Sequence, residues 1–236
     1  MIRLFTGTPG SGKSLHCAEI IFKRISSGKT VIANFDINMT VFKKRRKLGT
    51  FVFWDNTELS VKKLLDYALT KHRRNTNGNM VEGQTLLIID ECQILFNARE
   101  WSAKGRNEWC TFFTQHRKYG YDIIFVTQFD RLIDRQMRSL VEYEVIHRKV
   151  SNFKTFGAIL GILCGGHLFV AVTRWYALRE RIESKFFMPH KKYMRLYDSY
   201  KLFSADGGGG QGAPPTSAEN ELGQSDPNNE MEAQTA

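Results

Sequence analysis

The chain has 236 residues, of which 42% are hydrophobic and 25% are charged. This composition is ordinary for a soluble globular protein and excludes a collagen-like, a wholly disordered or a multi-span membrane protein. Residues 1–203 carry all 34 Lys and Arg and 18 of the 24 Asp and Glu, a net charge of +16. A body this basic attracts phosphate in a nucleotide, a nucleic acid or a lipid headgroup. The alternative is a well-solvated basic surface.

Short apolar runs alternate with segments of helical periodicity along the first 150 residues. The predicted strands are 2–6, 30–34, 51–54, 85–89, 122–127 and 143–146. The predicted helices are 15–25, 59–72, 109–119 and 132–140. This alternation predicts an α/β fold with a mostly parallel sheet flanked by helices.

Residues 204–236 have a different composition. They contain four consecutive glycines at 207–210, then Pro214 and Pro215, and mostly Ser, Asn, Gln and Glu besides, with six acidic residues and no basic one. Such a segment cannot bury enough apolar area to offset its chain entropy. We therefore expect one folded domain, 1–203, followed by a disordered acidic tail, 204–236.

A phosphate-binding motif lies between the first predicted strand and the first predicted helix. Gly7 to Ser14 (GTPGSGKS) matches G-x-x-x-x-G-K-[ST] without departure. In this motif backbone N–H groups wrap phosphate, Lys13 reaches the β- and γ-phosphates, and the Ser14 hydroxyl ligates Mg²⁺. The predicted nucleotide-binding residues are Gly7, Thr8, Pro9, Gly10, Ser11, Gly12, Lys13, Ser14 and Leu15.

Two carboxylates follow the continuously apolar run 85–89, which is typical of a strand buried on both faces. Asp90 is predicted to hold Mg²⁺, directly or through water, and Glu91 to polarise the attacking water. A carboxylate directly after the Mg²⁺ ligand favours ATP hydrolysis over a GTPase switch or a small-molecule kinase. Taken without the phosphate-binding motif, the pair would be better explained as a cap on a loop at a strand end.

Further candidates lie around the predicted strand 122–127. Gln128, at its tip, is predicted to orient water near the γ-phosphate, and a surface glutamine is the alternative. Arg117 and Arg138 belong to a cluster with Arg131 and Arg135. Either could act as an arginine finger on a neighbouring subunit's phosphates, and for each an ordinary surface arginine is the alternative.

Together these residues resemble the zonula occludens toxin (Zot) family, which includes the gene I assembly ATPases of filamentous phages. The segments that carry the resemblance are GTPGSGKSLH at 7–16, VIAN at 31–34, IIDECQ at 88–93, HRKYGYDI at 116–123, TQ at 127–128 and LYDSY at 196–200. The motif at 7–14 is generic, but the order of all six segments is particular to this family.

The resemblance implies a P-loop NTPase of the additional-strand class (ASCE, HerA/FtsK-like), related to DNA-pumping and conjugation ATPases. It implies an ATP- and Mg²⁺-dependent motor that works as a homo-oligomer, expected to be a ring, at the cytoplasmic face of the host inner membrane. The implied partners are single-stranded phage DNA or its protein complex, other phage assembly and coat proteins, and that membrane. Toxicity belongs to a region outside the ATPase domain and is not implied.

Residues 155–173 form a 19-residue stretch without a formal charge. Its length meets the criterion for a transmembrane helix, and glycines four residues apart let membrane helices pack closely. Against a span, two adjacent glycines and His167 interrupt the stretch, and basic residues flank both ends. We expect a buried loop and hairpin and hence peripheral attachment, with a single membrane span as the alternative.

Residues 43–47 (KKRRK) could contact single-stranded DNA or anionic lipid, or could form a solvated loop. Three functions stay open: an ATP-hydrolysing motor for virion export, a nucleotide-binding assembly scaffold with little turnover, and a small-molecule or nucleoside kinase. Glu91 and Gln128 favour the motor, because a scaffold needs neither. The segment from Arg131 to Arg138 could imitate the Arg-rich lid of a kinase.

Overall fold

The computed structural model describes residues 1–42, 47–100, 105–152 and 167–197. The strands are β1 (Ile2–Thr6), β2 (Thr30–Ala33), β3 (Phe51–Phe53), β4 (Thr85–Ile89), β5 (Tyr121–Val126), β6 (Tyr143–Lys149), β7 (Phe169–Trp175) and β8 (Arg181–Phe187). The helices are α1 (Lys13–Ser26), α2 (Val61–Lys71), α3 (Arg106–Gln115), α4 (Arg135–Ser139) and α5 (Lys191–Met194). The chain divides into Met1–Leu202 and Phe203–Ala236. The second unit, which contains the predicted tail, and residues 43–46 of the basic run lie outside the described residues.

The strands form one sheet in the order β3-β2-β4-β5-β1-β6-β7-β8. The strands from β3 to β6 in this order are parallel to one another. β7 is antiparallel to both β6 and β8. The predicted α/β class with a mostly parallel sheet is confirmed. β5 lies between β1 and β4, so the carboxyl ends of these three strands lie side by side, where ligands of parallel sheets bind.

Helices cover both faces of the sheet. Along β4, Leu86 and Ile88 pack in the core on the α1 face. Leu87 and Ile89 pack in the core that contains residues of α2 and α3. Every residue of β4 is buried, as its continuous apolar run predicts. Packing from both sides fixes the end of this strand and therefore the position of the residues directly after it.

Helices α3 and α4 differ most from the bounds that the sequence predicts. The Asp134 side chain accepts a hydrogen bond from the Gln136 N–H and caps α4, so that helix begins only at Arg135 and not at 132. α3 ends at Gln115 instead of 119, and turns continue to Gly120, where φ is +78°. In both cases a local cap or turn outweighs the apolar periodicity.

The uncharged stretch 155–173 lies partly outside the described residues, which resume at His167. Its last five residues, 169–173, belong to β7, which pairs along its length with β6 and β8. A single helix through 173 is therefore not formed. Within the described ranges, no helix is long and apolar enough to cross a membrane.

Candidate functional site

The loop between β1 and α1 adopts a backbone that its glycines make possible. Gly7 and Gly12 have φ values of +146° and +95°. A Cβ on Gly7 would lie 2.6 Å from the carbonyl oxygen of His147, and a Cβ on Gly12 would lie 2.8 Å from Cδ1 of Phe169. The loop therefore packs tightly on β6 and β7, and only glycine fits at these two positions.

The predicted phosphate-binding residues form this loop and the start of α1. Thr8, Pro9 and Gly10 are exposed at its tip. The Ser11 side chain is 3% exposed, and among the described residues its hydroxyl oxygen has no hydrogen-bond partner. Leu15 packs against the core on the α1 face, so only its backbone faces the loop side. An exposed tip above an unpaired hydroxyl suits an anionic ligand.

Lys13 folds back over the loop. Its Nζ donates to the carbonyl oxygens of Gly7 and Thr8, at 2.6 Å and 3.3 Å. Burial lowers the pKa of the Lys13 ammonium, and the nearby carboxylates of Glu91 and Asp90 oppose that shift. The ammonium thus lies between the loop and the two carboxylates that sequence reasoning assigned to the same site.

Asp90 is fixed by a side chain at the end of the neighbouring strand. Asn34 follows β2; its Oδ1 accepts from the Asp90 N–H at 2.7 Å, and its Nδ2 donates to the Asp90 carbonyl oxygen at 2.9 Å. The Asp90 Oδ1 accepts from the Glu91 N–H at 2.9 Å. Burial raises the pKa of Asp90. Sequence analysis quoted Asn34 within the family pattern but gave it no role.

Glu91 lies in a sharp turn with φ +44°, which is uncommon for a residue other than glycine. Its Oε2 accepts a short hydrogen bond from the Gln93 Nε2. The Gln93 Oε1 accepts from the Thr127 hydroxyl at 2.8 Å, and Thr127 is fully buried. The Gln93 side-chain amide therefore links the Glu91 carboxylate, after β4, to Thr127, at the end of β5. Gln93 is a site residue that sequence analysis missed.

The Tyr197 hydroxyl connects the loop side of the site to the carboxylate side. It donates to Asp90 Oδ2 at 2.6 Å, and the Ser14 side chain lies close to it. The Ser14 hydroxyl and the Asp90 carboxylate therefore both lie beside the Tyr197 hydroxyl. Both are the hard oxygen donors that Mg²⁺ prefers, so the residues fit the predicted metal.

Gln128 lines a cavity of about 380 Å³. Its backbone carbonyl oxygen accepts from the Gly7 N–H at 3.1 Å, and the residue is half-buried. Thr8, Arg148 and Lys149 line the same cavity. The structure thus places Gln128 beside the phosphate-binding loop and adds two basic residues, at the end of β6, that sequence analysis did not consider.

A buried histidine pair lies directly beneath the loop. The His147 Nδ1 lies 3.2 Å from the Thr6 carbonyl oxygen, which can only accept, so this nitrogen carries the proton. The His147 Nε2 must then accept from the His16 Nδ1, at 2.8 Å. Burial lowers the pKa of His16 to about 3 and that of His147 to about 4, so both rings are neutral near pH 7.

The two candidate arginines lie elsewhere. Arg117 pairs with Glu142, which is also 3.7 Å from the amino group of Met1. This is the opposite end of the strands from the phosphate-binding loop, so Arg117 lies away from this subunit's own site. Arg138 is half-buried on α4 near Tyr176. A role of either arginine toward a neighbouring subunit stays a prediction.

The Arg-rich segment that could imitate a kinase lid is anchored in the core. Ile133 and Met137 are 1% and 0% exposed and pack on the face covered by α2 and α3. The segment therefore does not arch over the phosphate-binding loop, and the kinase interpretation loses its main structural support.

A phosphate-binding loop after one strand, carboxylates after a second, and an additional strand between them define an additional-strand P-loop NTPase. The fold is similar to that of a solved ATPase domain, at 10% identity and a TM-score of 0.51, covering 83% of each chain. The profile of the zonular occludens toxin (Zot) family matches residues 1–200, so the chain belongs to this family.

Relatives occur among bacteriophage proteins. The Gene 1 protein of Escherichia phage If1 is 32% identical over 171 residues, which cover 71% of this chain and 47% of that protein. ORF301 of Pseudomonas phage Pf3, which is named as an assembly protein, is 29% identical over 143 residues, covering 60% of this chain and 40% of that protein. The chain spans about half the length of the first Gene 1 proteins it matches, with 46–47% coverage.

Proposed function

We propose that this chain binds ATP together with Mg²⁺ and hydrolyses it. The observation that carries the proposal is the meeting of four side chains at one edge of the sheet. Lys13 lies within electrostatic range of Asp90 and Glu91, and Ser14 lies close to the Tyr197 hydroxyl that donates to Asp90. A cation for phosphate, two oxygen donors for a metal and a further carboxylate for water are the parts that NTP hydrolysis requires.

Binding of the phosphates would use the loop and Lys13. The ammonium exchanges the carbonyl oxygens of Gly7 and Thr8 for phosphate oxygens, which are stronger acceptors because they are charged. The first turn of α1 adds the positive end of its dipole. Ser14 and Asp90 would hold Mg²⁺, which when bound neutralises charge on the phosphates.

Activation of water would fall to Glu91. The Gln93 amide restrains one carboxylate oxygen, leaving the other to accept a proton from water. Glu91 has a left-handed backbone just after the end of β4. Gln128 lies beside the loop, where its amide could orient that water.

We further propose that the ATPase acts in the assembly and export of a filamentous phage. The support is the family membership and the relatives, one of which is named as an assembly protein. In this proposal the chain works as a ring at the cytoplasmic face of the host inner membrane, attached peripherally. There it drives extrusion of single-stranded DNA while coat proteins are added. The net charge of +16 on residues 1–203 suits both the DNA and the membrane surface.

The experiment is phosphate release by the purified chain with Mg²⁺ and ATP alone, then with single-stranded DNA, then with anionic lipid vesicles. A motor is expected to turn over ATP and to respond to one of these additions. Binding of ATP without phosphate release under any condition would instead identify a nucleotide-binding assembly scaffold. Consumption of ATP only when a phosphoryl acceptor is supplied would identify a kinase.

A further inference from the structure

The Tyr197 hydroxyl occupies the space between the two predicted metal ligands. It donates to Asp90 Oδ2 at 2.6 Å and lies close to the Ser14 side chain. The Asp90 Oδ1 accepts from the Glu91 N–H. The carboxylate that a metal ion would use is therefore hydrogen-bonded within the protein at both of its oxygens.

Packing fixes this position of Tyr197. Leu196 is fully buried in the core on the α1 face, and its carbonyl oxygen accepts from the Asn38 N–H at 2.9 Å. The Tyr197 ring meets Phe35 edge-on, with centroids 5.0 Å apart at 68°. Four residues earlier, Tyr193 packs in the same edge-on way on Phe22 of α1, at 5.5 Å. The segment is therefore anchored from α5 to Leu196, and the tyrosine is its last described residue.

This arrangement competes with a metal ion. Mg²⁺ requires octahedral geometry with oxygen ligands at about 2.0–2.1 Å. A hydroxyl bonded to Asp90 Oδ2 and close to Ser14 takes up space that an ion held by these two residues would need. The phenol donates to a carboxylate oxygen and therefore carries its proton. A protonated hydroxyl offers the ion no anionic ligand in exchange for the space that it occupies.

We propose that Tyr197 is a latch on the metal site, an inference that rests on the proposed ATPase function. Its hydroxyl closes the site while no Mg²⁺-nucleotide is bound and leaves when Mg²⁺ arrives with ATP. Arrival of the metal thereby releases Tyr197 from Asp90. Because coupling between two equilibria is reciprocal, a force or partner that draws Tyr197 away favours binding of the metal by the same factor.

The test compares the parent with Tyr197→Phe and uses Tyr193→Phe as the matched control. The control removes a hydroxyl from the same segment but on the Phe22 side. The dissociation constant of the fluorescent analogue mant-ATP is measured in EDTA and in excess Mg²⁺. The EDTA value divided by the Mg²⁺ value gives the contribution of the metal to nucleotide binding. Loss of a hydrogen bond to a carboxylate should raise this ratio about tenfold for Tyr197→Phe. The parent and the control should give equal ratios, and EDTA values should agree for all three.

A second readout follows the tyrosine directly. In protein labelled with 3-fluorotyrosine, the Tyr197 ¹⁹F signal is assigned by its absence from Tyr197→Phe. It should shift when Mg²⁺ is added to the complex with a non-hydrolysable ATP analogue, and should stay in place with the analogue in EDTA. Two results would overturn the latch and leave the ATPase proposal standing. One is a ratio of mant-ATP dissociation constants in Tyr197→Phe equal to that of the parent, and the other is a Tyr197 ¹⁹F signal that does not shift with Mg²⁺. Failure of the parent to bind mant-ATP at all overturns both.

Discussion

Gly12 offers a quantitative test of how the phosphate-binding loop is packed. Its φ is +95°, and a Cβ at this position would lie 2.8 Å from Cδ1 of Phe169 and 3.3 Å from Cζ of Phe187. Gly28, at the other end of α1, has φ +77°, but no described atom lies within 4 Å of a Cβ built on it. Substitution by alanine therefore introduces backbone strain at both glycines and steric overlap at only one.

The two contributions can be separated by magnitude. An alanine in left-handed backbone costs about 1 kcal/mol, and overpacking of a buried site costs about 1–3 kcal/mol more. Phe169 cannot easily turn away, because it is 9% exposed and stacks on Phe187 with centroids 5.7 Å apart. We expect Gly12→Ala to lower the free energy of unfolding by about 2–4 kcal/mol and Gly28→Ala by about 1 kcal/mol.

The assay is urea unfolding of the parent and both variants without nucleotide, followed by far-ultraviolet circular dichroism. The slope of the unfolding free energy against urea should be the same for all three proteins, so that midpoints report stability. Equal losses for the two variants would show that the hairpin of β7 and β8 does not pack on the loop, and would refute this reasoning.

Three further substitutions test the site and the hairpin. Lys13→Ala should abolish phosphate release and weaken mant-ATP binding by at least about tenfold, since it removes a charged donor to phosphate. Gln93→Leu should lower kcat by about 10–100-fold with KM unchanged, because Glu91 loses its orienting amide. It should also lower the free energy of unfolding in urea by about 1–3 kcal/mol, because the buried Thr127 hydroxyl loses its 2.8 Å acceptor and keeps only the Phe129 carbonyl oxygen at 3.4 Å. Val170 is 4% exposed, so Val170→Arg would bury an unpaired charge and should lower the free energy of unfolding by about 3–5 kcal/mol in the same urea assay. A decrease below about 1 kcal/mol would place Val170 outside the core.

Sequence alone predicts the parts of the site whose chemistry lies in short contiguous motifs. The glycines and Lys13 form one motif, and Asp90 and Glu91 follow one continuously apolar run. The structure brings both together because parallel strands end at the same edge of the sheet. The position of β5 between β1 and β4 also agrees with the additional-strand class that the family resemblance implies.

The remaining features depend on contacts between distant parts of the chain. Gln93 is significant only because Thr127 lies beside it, 34 positions away in the sequence. Tyr197 meets Asp90 across 107 positions. Arg117 follows a helix that ends at the opposite end of the strands, which proximity in sequence to the strand 122–127 does not reveal. Such pairings have no local signal in a single sequence.

β8 shows a different limit of the sequence prediction. Of its residues Arg181–Phe187, only Phe187 is buried, and the strand lies at the edge of the sheet. Edge strands face solvent and carry charge, so they lack the alternation of apolar and polar residues that identifies a half-buried strand. The pairing with β7 therefore sets this element, and its own composition does not predict it.

Glu91→Gln tests the central claim, that this site hydrolyses ATP with Glu91 as the base. Phosphate release with Mg²⁺ and ATP is measured for the parent, for Glu91→Gln and for the exposed control Glu82→Gln, together with mant-ATP binding. The account predicts that all three bind nucleotide comparably, that Glu82→Gln keeps the parent rate, and that Glu91→Gln loses about 100-fold or more of it. Hydrolysis by Glu91→Gln at the parent rate would contradict the account.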